Sequence, residues 1–410
     1  MTTETAEVVI VGAGVFGASA GLELRRRGYG VTLVDRGPVP HERASSTDVS
    51  KMIRMDYGSD VFYHELAEAA IDGWERWNVD WPQRLYHAHG FLVLARERMR
   101  PGGFEFESHR VLSERGYSPE WMGGGELSRR FPAWNASRYP DGYLSPRGGW
   151  AESGAVVAEL LRLAREAGVR FVAADFGGLL CSESRVSGVK VLPETSDGEG
   201  VSEAPTPEGV LPADQVVVCA GAWTPVLLPW LDGVLRTVAQ PVVYFGVDDP
   251  HEFQGERFPP FAADIAGTGW YGFPALDDGR LKVGHHGEGR VVHPDDPGDV
   301  GADHIERARA FLAESLPGLA RAPVVETRVC LYCDSFDGDL LIARDPEREG
   351  LTVASGGSGH GFKFAPVLGD LIADAVEGRT NRWSGRFRWR SEGHARAEEA
   401  RLWTPTGLES

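Results

Sequence analysis

The sequence predicts an α/β fold in which a strand-helix-strand unit is interleaved with an α+β domain built on an antiparallel sheet. Residues 7–36 run from one apolar stretch through glycines and an amphipathic stretch to a second apolar stretch. That order is typical of strand, helix, strand. Residues 88–98 and 235–286 hold β-branched and aromatic runs separated by turns such as Asp277-Asp278-Gly279, which indicates antiparallel strands.

Composition narrows the classes of protein. The 410 residues are 25% charged and 42% hydrophobic, which is ordinary for a globular chain of two or three domains. A net charge of −18 repels nucleic acid and anionic lipid, so neither is an expected partner. Val8–Leu24 contains four glycines and Glu23, which excludes a membrane span. The acidic first seven residues are unlike a secretory signal, so we expect a cytoplasmic protein.

The predicted elements follow in order. The first strand covers Val8–Val11, and the helix after it ends at Arg25–Arg27, where basic side chains complement the helix dipole. Gly28 supplies the cap, and Val31–Val34 form the second strand. Farther along, the pattern predicts a helix over 156–167, strands over 169–172, 216–219 and 351–354, and a solvated loop over 193–214. The charged tail after Gly385 is weakly periodic, and we assign it no function.

A glycine motif lies between the first strand and the first helix. In Gly12-Ala13-Gly14-Val15-Phe16-Gly17, the glycines allow a tight turn, a close approach to a pyrophosphate, and packing of helix on strand. The helix N-terminus adds positive potential. Asp35 ends the second strand, where a carboxylate accepts hydrogen bonds from a ribose. The motif predicts a Rossmann-like dinucleotide site rather than a plain turn, and by itself leaves FAD and NAD both open.

A second glycine-rich segment favours FAD. Residues 355–363 lie between a predicted strand and a helix whose apolar face holds Val367, Leu368, Leu371 and Ile372. A helix start beside the flavin pyrimidine ring would stabilise the negative charge that develops there on reduction, a role that nicotinamide does not need. A phosphate loop or a plain turn is the alternative for this segment.

The spacing of Cys330 and Cys333 is one that redox pairs and zinc sites both use. Zinc needs two further ligands, whereas Cys181 and Cys219 stand alone in predicted strands. The aspartate-rich residues 334–339 neither open a helix nor have calcium-loop spacing. The residues themselves therefore favour two buried thiols and predict no metal site.

Five motifs together carry a resemblance to a known family. They are the N-terminal glycine motif, residues 46–54 (STDVSKMIR), residues 271–274 (YGFP) followed by Leu281-Lys282, residues 330–332 (CLY), and residues 357–363 (GSGHGFK). With them the whole chain resembles the monomeric sarcosine oxidase family of D-amino-acid-oxidase-like flavoproteins, which includes pipecolate, N-methyltryptophan and fructosyl-amine oxidases.

The resemblance implies roles for individual residues. Cys330 matches the cysteine that forms a thioether to the flavin 8α-carbon. Lys282 matches a lysine that promotes the reaction of reduced flavin with oxygen, where a fixed cation stabilises superoxide. Arg54 and Lys363 match a pair that binds the substrate carboxylate. Tyr271 and His286 match positions that line the substrate pocket.

The resemblance also implies the full site. The catalytic set is Lys282, Arg54, Lys363, Tyr271, His286 and Lys51. The cofactor set is Gly12, Gly14, Val15, Phe16, Gly17, Asp35, Arg36, Ser46, Thr47, Lys51, Ala220, Gly221, Trp223, Cys330, Gly359, His360, Gly361, Phe362 and Lys363.

Two departures leave the substrate open. Lys51 stands where sarcosine oxidases carry arginine, and residues 48–57 look more like a fructosyl-amine oxidase. Residues 282–286 (KVGHH) look like a sarcosine oxidase and lack the acid that fructosyl-amine oxidases use for the sugar.

The expected domains are an FAD-binding domain of residues 1–85, 151–230 and 330–385, a substrate domain of 86–150 and 231–329, and a tail of 386–410. The site is expected between the first two. The expected enzyme is an FAD-dependent oxidase of the C–N bond of a small amine or amino acid, giving an imine and hydrogen peroxide, and acting as a monomer or small homo-oligomer with oxygen as second substrate.

Other functions stay open from the sequence. One is a fructosyl-amine oxidase. Another is a secondary-metabolism oxidase or dehydrogenase of a cyclic imino acid or a carrier-bound amine. The non-enzymatic alternative is a flavin-binding or redox-sensing protein, and the retained cations Arg54, Lys282 and Lys363 count against it because buried unpaired charges are costly.

Overall fold

The computed structural model describes residues 5–193 and 209–402. In this part of the chain the strands are β1 Glu7–Val11, β2 Gly30–Asp35, β3 Lys51–Ile53, β4 Tyr86–His87, β5 Phe91–Ala95, β6 Glu120–Gly123, β7 Asp141–Ser145, β8 Gly149–Ala151, β9 Arg170–Ala173, β10 Asp175–Ser182, β11 Arg185–Leu192, β12 Gly209–Pro212, β13 Gln215–Val218, β14 Leu235–Gly246, β15 Phe261–Ala263, β16 Trp270–Gly272, β17 Arg280–His285, β18 Arg290–Val291, β19 Val324–Ser335, β20 Leu341–Arg344 and β21 Leu351–Ser355.

The α-helices are α1 Val15–Arg26, α2 Val61–Asp80, α3 Phe104–Glu114, α4 Gly124–Arg130, α5 Ser153–Glu166, α6 Thr224–Leu227, α7 Ile265–Thr268, α8 Ala302–Ser315, α9 Ala365–Glu377 and α10 Ser384–Phe387. Short 3₁₀ turns cover Gly221–Trp223, Pro229–Leu231, Pro250–Phe253, Gly255–Arg257, Pro317–Leu319 and Gly361–Phe364. None of the helices in the described ranges is both long and apolar enough to span a membrane.

The first of two compact units comprises, among the described residues, 5–49, 152–193, 209–237 and 331–396. Its main sheet has the strand order β20-β21-β13-β1-β2-β9, in which β20 is antiparallel and the other strands are parallel. Buried parallel strands require apolar side chains on both faces, and Val8, Val9, Ile10 and Val11 of β1 meet that need. The predicted strand-helix-strand order of residues 7–36 is confirmed.

Helix α1 packs against α5 and α9 in this unit. The contact between α1 and α9 depends on Gly369, because a Cβ there would lie 2.8 Å from the backbone oxygen of Ser19. A smaller antiparallel sheet, β10-β11-β12, completes the unit. The predicted helix and strand over residues 156–172 and the strands at 216–219 and 351–354 are confirmed.

Among the described residues, the second unit comprises 50–151, 238–330 and 397–402. Its large sheet runs β18-β14-β17-β16-β15-β5-β7-β6, with β19 paired to β14. Beneath this sheet lies an aromatic core that includes Phe131, Trp134, Phe258, Phe261 and Phe311. The predicted antiparallel sheet is confirmed with one correction, since β15 pairs with β5 in parallel.

Two further differences from the sequence pattern concern loops and boundaries. The predicted loop over 193–214 is wrong at residues 209–212, which form β12 against β11, because backbone pairing stabilises a short strand that carries few sequence signals. Residues 194–208 of that prediction lie outside the described residues. Residues 50–85, which the sequence pattern assigns to the cofactor domain, belong to the second unit. The functional assignment of each domain stays a prediction.

Candidate active site

The glycine motif after β1 forms a tight backbone cradle. Gly12 has φ +102°, and a Cβ there would lie 2.5 Å from the carbonyl oxygen of Cys219. A Cβ on Gly17 would lie 1.8 Å from the carbonyl oxygen of Gly12. Neither position tolerates a side chain without movement of backbone atoms, so these two glycines are required by the packing of the loop itself.

Asp35 closes this cradle from the end of β2. Its Oδ2 accepts a hydrogen bond of 2.6 Å from the backbone N–H of Ala13. Burial raises the pKa of Asp35 to about 6, against the opposing effect of that hydrogen bond. The guanidinium of Arg36 lies 5.5 Å from the centre of the Trp223 ring. Asp35 is the last residue of β2 and Arg36 follows it, whereas Trp223 lies in the turn after β13. The carboxyl ends of these two strands share one edge of the parallel sheet.

The segment before β3 adds hydroxyl groups to the cradle. Ser46 Oγ accepts a hydrogen bond of 3.2 Å from the N–H of Val15, the first residue of α1. The neighbouring Thr47 Oγ1 is buried and has no hydrogen-bond partner among the described residues. An unsatisfied buried hydroxyl needs a partner, and a ligand that brings oxygen atoms to the start of α1 would supply one.

The second glycine-rich segment meets the first. A Cβ on Gly361 would lie 3.2 Å from the ring of Phe16, and one on Gly359 would lie 2.2 Å from the ring of Tyr332. Ser358 N donates to Cys333 O at 2.9 Å. The first unit thus brings together the Gly12–Gly17 loop, the Gly357–Lys363 loop and the residues that follow Cys330.

His360 and Lys363 are held within this second loop. His360 Nε2 lies 3.0 Å from Gly338 O, and Lys363 Nζ donates to His360 O at 3.2 Å. Both side chains are buried. The loop leads from β21 into the 3₁₀ turn Gly361–Phe364 and then α9, so the predicted strand-loop-helix arrangement is confirmed.

In the second unit three predicted site residues gather at the start of β3. Lys51 Nζ lies 3.5 Å from Cys330 Sγ, and Lys282 Nζ donates to Ser50 O at 2.8 Å. Lys282 and Cys330 are 2% and 4% exposed. One short segment, residues 50–51, therefore contacts both the buried ammonium of β17 and the thiol of β19.

The neighbouring strand β16 places Tyr271 beside this group. Tyr271 pairs with Gly284 of β17, and a Cβ on Gly284 would lie 2.5 Å from the tyrosine ring. Because side chains alternate along a strand, Lys282 and Gly284 share a face, and the glycine lets the Tyr271 ring lie across it. The His286 ring lies 6.4 Å from that of Tyr271. The adjacent His285 instead packs edge-on to Trp270.

Arg54, one residue after β3, is paired with an acid that the sequence pattern does not indicate. Both carboxylate oxygens of Glu398 lie 3.2 Å from Arg54 Nη2, and Glu398 Oε1 lies 2.7 Å from His286 Nε2. Burial lowers the pKa of Arg54, but the charges of Glu398, Tyr57 and Asp56 and the hydrogen bond to Glu398 together more than offset burial and leave the pKa above its ordinary value. Burial lowers the pKa of His286 despite the same carboxylate.

The sequence carries no local signal for Glu398, because it lies in a charged, aperiodic tail. Arg54, Tyr271 and His286 are brought together in the second unit, whereas Lys363, the other predicted carboxylate-binding residue, belongs to the first unit. Ala220 and Gly221 follow β13 in the first unit, next to the Gly12 contact at Cys219.

The described residues fit a dinucleotide cofactor. Gly12 and Gly17 leave no room for a side chain, so only backbone atoms line the start of α1 at these positions. The buried Thr47 hydroxyl has no hydrogen-bond partner among the described residues. Among the residues that the structure describes, no group of acidic, histidine and cysteine side chains is arranged to hold a metal ion.

Residues 7–375 match the model of the DAO family, described as FAD dependent oxidoreductase. The chain belongs to this family of FAD-dependent oxidoreductases. It is 30% identical over 383 residues to N-methyl-L-tryptophan oxidase of Salmonella typhimurium, covering 91% of this chain and 95% of that protein. It is 28% identical over 381 residues to monomeric sarcosine oxidase of a Bacillus species, covering 91% and 93%.

A solved structure has the same fold. The fructosyl amine: oxygen oxidoreductase (Amadoriase I) of Aspergillus fumigatus superposes with a TM-score of 0.79 at 23% identity, covering 99% of this chain and 95% of that one. The predicted family, the α/β fold, the FAD dependence and the oxidoreductase class are thereby confirmed.

Proposed function

We propose that the protein is an oxidase of the C–N bond of a small amine that bears a carboxylate, such as an N-alkyl amino acid, and that it yields an imine and hydrogen peroxide. The main support for this proposal is a pair of contacts in one short segment: the Lys51 ammonium lies beside the Cys330 sulfur, and the Lys282 ammonium donates to the carbonyl oxygen of residue 50. FAD, when bound, takes a hydride equivalent from the α-carbon of the amine and passes the electrons to oxygen. Two relatives are named for their substrates, sarcosine and N-methyl-L-tryptophan, and both substrates are amines of this class.

The cofactor is proposed to lie on the cradle of the first unit. Backbone N–H groups at the start of α1 would hold the pyrophosphate, and the helix dipole would add to the attraction. Asp35 holds the loop in place through Ala13 and offers a carboxylate to the ribose. The remaining proposed contacts are those of Gly14, Phe16, Arg36, Ser46, Thr47, Ala220, Gly221, Trp223, Gly359, His360, Gly361 and Phe362.

Cys330 is proposed as the covalent attachment point of the cofactor. Its sulfur is buried and lies 3.5 Å from the Lys51 ammonium. The thiolate is the nucleophile in thioether formation, and the Lys51 ammonium would stabilise its negative charge before the bond to carbon forms. The new S–C bond would replace a C–H bond of the flavin methyl group, with loss of two protons, and the two electrons released would reduce the flavin. Cys333, three residues on, accepts instead from the Ser355 hydroxyl, and burial raises the pKa of Cys333 to about 11, which suits an unreactive thiol.

Lys282 is proposed to promote the reaction with oxygen. Its ammonium is buried, is held by the Ser50 carbonyl at 2.8 Å and lies 4.7 Å from the centre of the Phe273 ring. A cation that is fixed before reaction stabilises a forming superoxide without the cost of reorganising water. A flexible surface lysine would lack this advantage.

Arg54 and Lys363 are proposed to bind the substrate carboxylate, and Tyr271 and His286 to line the pocket for the amine. An arginine fork can hold both oxygens of a carboxylate. Because burial lowers the pKa of His286, its ring is neutral near neutral pH and does not repel a substrate amine. A neutral amine is the form that can release a hydride equivalent from its α-carbon.

An amine screen tests the proposal. The purified yellow protein is incubated in air with sarcosine, pipecolate, N-methyltryptophan, a fructosyl amino acid and a carboxylate-free amine, and hydrogen peroxide is measured. We expect peroxide from at least one N-alkyl amino acid. Reduction of an artificial dye without peroxide would instead identify a dehydrogenase, and no turnover of any amine by either assay would contradict the proposed function.

A further inference from the structure

The C-terminal strap, defined as residues 397–402, carries a buried carboxylate in the second unit. Glu398 is 5% exposed at its side chain, although its neighbour Glu399 is exposed. Its two oxygens contact Arg54 Nη2 at 3.2 Å, and one of them contacts His286 Nε2 at 2.7 Å. A carboxylate held by an arginine and a histidine is the arrangement expected for a bound amino acid, but here the carboxylate belongs to the chain.

Other contacts hold the strap on both sides of Glu398. The N–H of Ser59 donates to Glu399 Oε2 at 3.1 Å, Arg401 Nε donates to Gly287 O at 2.9 Å, and Leu402 N donates to His286 O at 3.0 Å. Ala400 and Arg401 are 1% and 7% exposed. The position of Glu398 is therefore fixed by backbone and side-chain contacts and does not depend on its own ion pair alone.

The surroundings of Arg54 determine where an anion can reach it. Arg54 Nη1 donates to Asp56 O, and the rings of Tyr57 and Phe104 lie 4.9 Å and 5.9 Å from the guanidinium carbon. These groups leave Nη2 to face Glu398. A second carboxylate at the same atom would meet the charge of Glu398 at close range, which is strongly unfavourable in a buried site.

We propose that Glu398 is a specificity-determining residue, because it occupies on Arg54 the position that a substrate carboxylate would take. A carboxylate-bearing amine then binds to Arg54 only by displacing Glu398. The inference rests on the proposed function in one respect, the assignment of Arg54 to the substrate carboxylate. The apparent affinity for such substrates is reduced in proportion to the fraction of molecules in which Glu398 has left Arg54.

Acetate binding to the FAD-containing protein, measured by titration calorimetry, tests this competition. Glu398→Gln keeps the size of the side chain and removes its charge, so we expect acetate to bind at least about tenfold more tightly, a change of about 1.4 kcal/mol. Glu392→Gln is the matched control, since it removes the same charge from an exposed residue six positions earlier. We expect it to leave acetate affinity unchanged.

A second variant keeps the test decisive if Glu398→Gln folds poorly. Arg401→Lys keeps the positive charge, which acts on His286, but loses the guanidinium hydrogen bonds to Gly287 O and Glu288 O and so loosens the strap. We expect an increase in acetate affinity that is smaller than that of Glu398→Gln. Unchanged or weaker acetate binding in either folded variant would overturn the inference.

Arg54→Met separates this inference from the proposed function. If acetate affinity falls in Arg54→Met but does not rise in the strap variants, the arginine binds carboxylate and the competition is wrong. If Arg54→Met combined with Glu398→Gln binds acetate as tightly as Glu398→Gln alone, the assignment of Arg54 to the substrate carboxylate is wrong, and the competition fails with it. The amine screen of the unaltered protein judges the oxidase activity independently of both.

Discussion

The glycine cradle of the first unit and the charged cluster of the second unit are built in different ways. The cradle is made by the backbone of six consecutive residues with Asp35 close by in the chain. The cluster is made by side chains from β3, β16, β17, β19 and the strap, and its pair Arg54 and Glu398 is 344 positions apart. A backbone site requires fixed residue types at fixed spacing, whereas a side-chain cluster requires only that the fold bring partners together.

Substituting Gly17 should have the largest effect. In Gly17→Ala the new Cβ would lie 1.8 Å from Gly12 O, so the loop must move and the free energy of unfolding should fall by about 3 kcal/mol or more. We expect purified Gly17→Ala to contain almost no FAD by absorbance. Gly28→Ala is the control, since nothing lies within 4 Å of its Cβ; its φ of +96° should cost about 1 kcal/mol and leave FAD content intact. Full FAD content in Gly17→Ala would break the cradle assignment.

Cys330→Ala tests the charged cluster at its thiol. After acid precipitation we expect the unaltered protein to give a yellow pellet and Cys330→Ala to release its FAD into solution, because the proposed thioether is absent. Cys333→Ala is the matched control and should keep a yellow pellet. A colourless pellet from the unaltered protein would rule out covalent attachment while leaving the cradle unaffected.

Lys282→Met should separate the two half-reactions. We expect the rate of flavin reoxidation by oxygen to fall by about 100- to 1000-fold, the usual effect of removing a preorganised charge, and reduction by the amine to change far less. Stopped-flow absorbance measures both rates. Lys190→Met, in β11 of the first unit, is the control with unchanged rates. Normal oxygen reactivity in Lys282→Met would refute the proposed role.

Asp35→Asn tests whether the buried carboxyl of the cradle has a raised pKa. Burial raises the pKa of Asp35 from 3.8 to about 6, so its contribution to stability is fully present below pH 3.8 and is lost as pH rises through 6. An asparagine side chain does not titrate, so Asp35→Asn does not lose this stability as pH rises. Urea unfolding of the FAD-free proteins should find Asp35→Asn gaining on the unaltered protein between pH 4 and 7.5, by at most about 3 kcal/mol. A pH-independent difference would mean that Asp35 titrates normally.

The sequence predicted the first unit in detail because its determinants are local. Gly12, Gly14 and Gly17 have a spacing that only a strand-turn-helix explains, and β1, α1 and β2 are found where the apolar periodicity places them. Even the meeting of the two glycine loops follows from parallel strands whose carboxyl ends share an edge.

The second unit was predictable only in part. The family resemblance points to Lys51, Lys282 and Cys330. No rule of sequence spacing predicts that these three residues lie close together. The sequence pattern does not indicate Glu398, because an acid in a charged, aperiodic tail has the same sequence appearance whether it is solvated or buried against an arginine. In the first unit the exception is strand β12, which the sequence pattern does not predict because its four residues depend on pairing with β11.

Anaerobic mixing of the purified protein with an N-alkyl amino acid decides whether the bound flavin oxidises such amines. We predict a yellow protein whose flavin absorbance bleaches on addition of the amine and returns when oxygen is admitted, with one hydrogen peroxide formed for each amine oxidised. A properly folded protein that is colourless, or a flavin band that no amine of the screen bleaches, would contradict it.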